Sequence, residues 1–416
     1  MKPDKETRRA ALHSFSKAAL FACGARPFFC TTAAIFGGIS TTTASQSQAG
    51  VAGNPEAPPK PQIQRFRRVT TIVGNGRQKP IREKGRVPDV TLSNPFGVQP
   101  ESDGSLIIAS FDTHVIYRLD PNYRTLERIA GTGQIGLGGR DGDFPSSVPL
   151  NHPHEVQVGA NGDIFIADTS NHRVGKISGD TGRWAPIAGT GEKGFSGDGG
   201  AAIDAKFHDA YSIALAEADS SRGSQLMDTL YIADLKNHRI RQVSLDSGKI
   251  VTVCGTGERA LPKDGGLAID QPLAGPRSLA VDQENLWIVL REGNSVWRLE
   301  RTTGRVYHVA GTGKKGFTGD GGDAKEATFA GPKGIAVDPG VALYVADTEN
   351  HAIRRIDLES GQIETVMGDS GESGFDGDGN EVRSRKLARP HGVCLLPDGD
   401  LLVGDSENHR VRLLQR

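Results

Sequence analysis

The chain has 416 residues, with 49 Lys+Arg against 50 Asp+Glu and a formal charge of −1, so no strong field draws it to nucleic acid or anionic lipid. Hydrophobic residues make up 36% and charged residues 24%, while 54 glycines give roughly 13% against a usual level of about 7%. That balance excludes a polybasic binder and reads as a soluble, turn-rich β protein. RNA binding would want a basic face, which the neutral total argues against.

The N-terminus carries Lys2, Lys5, Arg8 and Arg9, then an Ala-, Phe- and Ile-containing stretch to Ile39, then polar sequence ending at Ala49. This pattern resembles an export signal over residues 1–49, and Thr7-Arg8-Arg9 with Leu12 forms a partial twin-arginine pattern. Ala11 stands where that signal prefers Phe, and Arg26-Pro27 breaks the apolar run, which is too short for a stable membrane span. Residues 50–62, with Pro55, Pro58, Pro59 and Pro61, read as an extended linker. Only Cys254 and Cys394 remain beyond the leader, at different strand positions, so they are expected as small buried hydrophobes rather than a disulfide.

Residues 63–416 repeat. Gly74, Gly131, Gly189, Gly255, Gly311 and Gly368 each follow a short β-branched run, at spacings of 57, 58, 66, 56 and 57 residues. Each period adds three more alternating runs, clearest in 334–338, 343–347 and 352–357, which predicts four strands per unit. Six four-stranded units cannot each bury two sheet faces alone, and radial packing buries them, so the fold class is all-β, a six-bladed β-propeller with four antiparallel strands per blade. The sixth unit stops at Arg416 after its third strand, and the segment from Arg65 to Gly74 is an outer strand with no blade before it. The N-terminal strand is therefore expected to complete the C-terminal blade and remove the seam.

With the strands lettered a to d from the axis outward, the b-to-c turns and the d-to-a connections emerge on one face. That face holds the Asp-x-x-Asn-His turns ending at His172, His238, His351 and His409, the related His114, and Asn294 in blade four. It also holds the Gly-Asp-Gly loops of Asp198, Asp320 and Asp378, which could serve calcium, although no loop has a full calcium-binding spacing. Recurring once per blade, the histidines stand too far apart to share a metal and suit tight turns. The nine extra residues behind the 66 spacing lie between Ile213 and Leu230, on the other face.

One position per blade varies while its surroundings repeat. Just before the inner strand, at the channel mouth, stand Phe96, His154, Tyr211, Arg277, Lys333 and His391. His154, Tyr211, Arg277, Lys333 and His391 are the ligand candidates: cations, imidazoles and aromatic rings that suit an anionic or sugar-containing group.

The unit resembles the NHL repeat, on the residues Pro332 to Asp338 and Tyr344 to Arg354, with similar copies near Pro95, Pro153, Ala210, Pro276 and Pro390. This resemblance implies the propeller fold and leaves function open. Peptide-amidating lyases of NHL type are similar at the mouth, and that likeness implies a zinc held by three channel histidines from Pro-His segments. Pro153-His154 and Pro390-His391 match, Arg277 replaces the third histidine, and Glu155 or His152 is the available substitute. Two functions follow as expectations. One is an exported, monomeric binding scaffold for a protein, a peptide or a small anionic or sugar-containing ligand, working through the face of the b-to-c and d-to-a loops. The other is a metal-dependent lyase or hydrolase, with zinc or calcium at the mouth.

Export has a direct check. The small residues after the leader predict cleavage near Ala49 and a mature chain beginning around Gly50. N-terminal sequencing of protein from its native host should find that start, and an intact Met1 or Lys2 would contradict export.

Overall fold

Six antiparallel sheets make up the computed structural model, which describes residues 66–78, 83–87, 89–217 and 228–416. The leader and the linker lie outside the described residues. The first four-strand set runs Pro95–Pro100, Leu106–Ser110, Val115–Leu119 and Thr125–Ala130 from the axis outward, with Lys84–Arg86 added at its outer edge. Blades two to five begin with the inner strands Pro153–Val158, Ala210–Ala216, Pro276–Val281 and Gly334–Asp338. The nine-residue insertion falls in blade three, in the turn between Ala210–Ala216 and Thr229–Asp234.

Blade six is closed from the other end of the chain, as the sequence predicts. Its strands Val393–Leu395, Leu401–Asp405 and Arg410–Gln415 are completed by Arg68–Val73, which pairs antiparallel with the last of them, Val69 opposite Leu414 and Thr71 opposite Arg412. Gly379–Asn380 caps the outer edge of that strand. Among the described residues no helix is long and apolar enough to cross a membrane.

Alternate residues of a strand point to opposite faces, and here both faces are covered. On strand Leu106–Ser110, Ile107 and Ala109 pack with Val156, Ile164, Ile166 and Trp184 of blade two. Leu106 and Ile108 pack with Leu402, Val411 and Leu413 of blade six. The second strand of each blade therefore reads as a nearly unbroken apolar run, as strands buried on both sides do.

Towards the axis the backbones crowd. A Cβ on Gly392 would run into the carbonyl oxygen of Phe96, and one on Gly334 into that of His391, so only glycine fits there.

The Asp-x-x-Asn-His turns build this frame. Asp168, Asp234, Asp347 and Asp405 are fully buried and accept backbone N–H groups of Asn151, His208, Ala330 and Ala388 at 2.7 to 2.8 Å. The turn asparagines Asn171, Asn237, Asn350 and Asn408 donate to these aspartates and to the carbonyls of Gly136, Gly194, Gly316 and Gly374. The histidine that follows sits in the left-handed region, with φ between 53° and 56° at His114, His172, His238, His351 and His409. In four of the five, Nδ1 accepts a backbone N–H from the next blade, whereas His238 Nδ1 has no hydrogen-bond partner among the described residues. Those bonds run from His152 to His114, Asp209 to His172, Arg389 to His351 and Asn94 to His409, at 3.0 to 3.2 Å. Asn294 does the same with Oδ1, accepting from Gly331 at 2.9 Å. The Asp and Asn spacing predicts turn builders, and these residues are also clasps between blades. Nδ1 must be unprotonated to accept, and burial holds all five imidazoles below the ordinary histidine value.

Blade four shows what the clasp requires. Since Asn294 replaces histidine there, His351→Asn should unfold with a denaturant midpoint near the parent's. His351→Ala should lose about 1 kcal/mol in the same chemical denaturation.

Candidate functional site at the channel mouth

Each clasp donor lies two residues before a mouth residue. These donors, Asn94, His152, Asp209, Gly331 and Arg389, all have positive φ, so the clasp sets how the chain turns into the inner strand. The result is the convergence the sequence predicts, in a tighter form: the six side chains fill the mouth. Phe96 stacks on His391, ring centroids 3.8 Å apart and planes within 8°. Phe96 also meets the edge of His154 at 4.8 Å, and His154 lies against Tyr211 at 3.6 Å. The Arg277 guanidinium sits 3.6 Å over the Tyr211 ring and donates to the Tyr211 hydroxyl. Lys333 Nζ donates to His391 Nε2 at 3.1 Å, while His391 Nδ1–H donates to the carbonyl of Arg389 at 2.9 Å, which fixes the tautomer. Five of the six are buried and Arg277 is half-buried.

Packing governs the charges of this plug. Burial first, then Arg277 and His391, push His154 well below the ordinary histidine range. Burial and Lys333 do the same to His391. Burial pulls Lys333 down to about 7, aided by Arg277 and Arg389 and opposed by Glu349, whose carboxylate stands 3.4 Å from Nζ. Tyr211 is pushed up to about 12 by burial. The cations around the rim are paired: Arg389 with Glu349 and Glu407 at 2.7 and 2.9 Å, and Arg291 with Glu292 at 2.9 Å. Arg277 has no carboxylate partner among the described residues, and both ring nitrogens of His154 lack a hydrogen-bond partner.

The residues present do not fit a zinc centre. His154 and His391 do approach, with ring centroids 6.1 Å apart. Both nitrogens of His391 are already engaged, and Arg277 and Lys333 flank the pair. Glu155, the candidate third ligand, lies one residue further along the inner strand, its carboxyl against Gly97, and burial pushes it up to about 8. Among the described residues no three His, Cys, Asp or Glu side chains form a metal-binding group.

The Gly-Asp-Gly carboxylates are occupied too. Asp198 takes Arg241 at 2.7 Å, Asp320 takes Arg354 at 3.0 Å and Arg383 at 2.8 Å, and Asp378 takes Arg412 at 3.2 Å. These three buried arginines pack on Phe195, Phe317 and Phe375 of the same loops, so the loops anchor outer strands instead of offering oxygens to calcium. Cys254 and Cys394 are free and buried, as expected of small hydrophobes.

Pairwise contacts inside the plug had no signal in the sequence beyond the varying mouth position. The clasp had one: Asn, Asp and Gly two residues before that position tolerate positive φ.

Lys333 gives the plug a measurable pH dependence. Unfolded it titrates near 10.5 and folded near 7, so between these values the unfolded chain holds the extra proton. Stability from this group is complete above 10.5 and falls as pH drops towards 7. Lys333→Met should therefore be more stable than the parent at neutral pH, by about 1 to 4 kcal/mol, with the gain shrinking as pH rises towards about 10. Chemical denaturation across that range checks it, and a gain independent of pH would contradict it.

The NHL repeat family model matches residues 150–177 and 387–412, and a teneurin NHL domain model matches residues 307–375. The chain is 28% identical over 342 residues to human NHL repeat-containing protein 2, covering 74% of this chain and 44% of that one. It is 26% identical over 279 residues to Protein SUPPRESSOR OF QUENCHING 1, chloroplastic, of Arabidopsis thaliana, covering 64% and 25%, and 26% identical over 388 residues to mouse Teneurin-4, covering 84% and 13%. The chain thus spans less than half the length of these relatives. Among solved structures, a Bacteroides thetaiotaomicron protein of unknown function aligns with a TM-score of 0.61 at 16% identity, covering 83% of this chain and 75% of its own. An auxiliary nutrient binding protein from the same organism aligns with a TM-score of 0.59 at 15% identity, covering 84% and 76%. With the repeat, the closed ring and these matches in agreement, the chain carries NHL repeats and folds as a six-bladed β-propeller of NHL type.

Proposed function

We propose that this propeller is an exported ligand-binding scaffold that receives an anionic group on its axis, from the face of the b-to-c turns and d-to-a connections. The observation that carries the reading is Arg277. It is the one mouth residue left half-buried, its donors are spent only on Tyr211, and the two unpartnered nitrogens of His154 lie in the same plug. A carboxylate or phosphate over Arg277 would gain charge-assisted hydrogen bonds in a poorly hydrated setting.

The face is supported separately. Among the described residues eleven large hydrophobics are exposed; five of them, Ile135, Leu137, Phe195, Leu261 and Phe375, lie in the d-to-a connections on this face, while Phe144, Ile203, Leu267 and Ile269 lie where those connections pass the c-to-d turns. A contact surface clustered in one set of loops is what a partner or ligand on that face would use. A solved propeller described as an auxiliary nutrient binding protein is in keeping with a small-molecule ligand, although that likeness speaks to fold.

Isothermal titration of the full chain with citrate and with inorganic phosphate tests the site. Binding should weaken at least about tenfold in Arg277→Gln, the size expected for a hydrogen bond to a charged group. An unchanged isotherm in that variant would remove the axial site.

A further inference from the structure

The repeat supplies its own control for a second site, on the outer flank between blades four and five. On the third strand of each blade one residue stands opposite the large residue of the second strand. Arg118 pairs with Ile107, Lys176 with Phe165, Arg298 with Trp287 and Arg355 with Tyr344. Three of these four cations are neutralised within their own blade. Arg118 binds Glu101 at 2.6 Å, Lys176 binds Asp163 at 2.7 Å and Arg355 binds Asp357 at 2.9 Å. Arg298 has no ion pair or hydrogen bond among the described residues, and its guanidinium lies 4.9 Å over the ring of Tyr307.

Arg298 also faces empty space. It lines two adjoining cavities of about 400 and 280 Å3, which share Trp287, Arg298 and Leu358, and Tyr307 and His308 line the smaller. The carboxylates around the cleft are engaged elsewhere. Asp282 accepts the Trp287 indole N–H at 2.8 Å, Asp264 accepts the His308 backbone N–H at 2.8 Å, and Asp357 holds Arg355. Glu284 stands at the rim, and Lys325 adds a second cation to the smaller cavity.

We infer that the cleft between blades four and five binds a small aromatic carboxylate, its anionic head on Arg298 and its planar body against Tyr307 and Leu358. A half-buried guanidinium without a counter-ion favours an anion, and the apolar and aromatic walls favour a flat ring beside it. Blade two has the same cleft, of about 290 Å3 and lined by Phe165 and Lys176, with its cation already neutralised by Asp163. The residue at the place of Asp163, two before the large residue of the second strand, is Asn285 in blade four, and it lines the larger cavity. One missing carboxylate therefore separates a filled charge from an open one.

The test uses 2-naphthoate and its neutral amide, followed by calorimetry and by tryptophan fluorescence. The full chain should bind naphthoate saturably with one-to-one stoichiometry, and the amide at least about tenfold more weakly. Arg298→Gln should weaken naphthoate binding by a similar factor. So should Asn285→Asp, which leaves Arg298 in place and gives it the counter-ion that blade two has. Lys176→Gln, whose cation is already neutralised by Asp163, should bind as the parent does, and thermal unfolding of every variant confirms that the fold is kept. Absence of saturable binding by the parent overturns the inference, as does parent-like binding by both Arg298→Gln and Asn285→Asp. Loss in Arg277→Gln with retention in Arg298→Gln would place naphthoate on the axis and overturn it equally, while leaving the axial reading intact.

Discussion

The backbone hydrogen bond that crosses from one blade to the next, ending on a neutral histidine, is the constraint on which the mouth depends. Sheets packed face to face by hydrophobic contact alone could slide, because apolar contact is not directional. The clasps from Asn94, His152, Asp209, Gly331 and Arg389 to the preceding blade pin five of the six inner strands at their entrances. With the entrances pinned, side chains that differ among blades meet at one place. Phe96 can stack flat on His391, and Arg277 can cover Tyr211, only because the frame around them repeats.

The same frame explains why the plug is electrically unusual. Burial leaves little at the mouth to solvate charge, so Lys333 and His391 share one hydrogen bond, His391 gives its other N–H to the Arg389 carbonyl, and the imidazoles stay neutral. The compensating carboxylates, Glu292, Glu349 and Glu407, stand one layer out on the b-to-c turns, and they serve Arg291 and Arg389 first. Arg277 and, on the flank, Arg298 are left over from this pairing. Function in a repeat protein is most visible in such remainders, where one copy lacks what its siblings have.

The fold was legible in the sequence because the period near 57 and the alternation of Leu343 to Asp347 report backbone geometry directly. Closure by Arg68–Val73 followed from counting strands at the two ends. The mouth set from His154 to His391 was legible as well, since it varies against a constant background. What those residues do to one another was not. Stacking distance, the tautomer of His391 and the route of the Glu155 carboxyl depend on side-chain packing across three or four blades, which no local pattern encodes. The histidine array lay between these cases. Its turn role could be read from Asp and Asn spacing, while its clasp role needed the neighbouring blade.

The strand that closes the ring has a consequence for how the chain comes to be made. Arg68–Val73 leaves the ribosome first among the strands and pairs with Arg410–Gln415, which leaves last. Until the final blade exists, the earliest strand has no partner, and the ring remains an open arc with two unsatisfied edges. Closure then joins segments more than 300 residues apart, an entropically costly contact that local blade folding must precede. The propeller is thus exposed to mispairing for the whole of its synthesis and becomes edge-protected in a single late step.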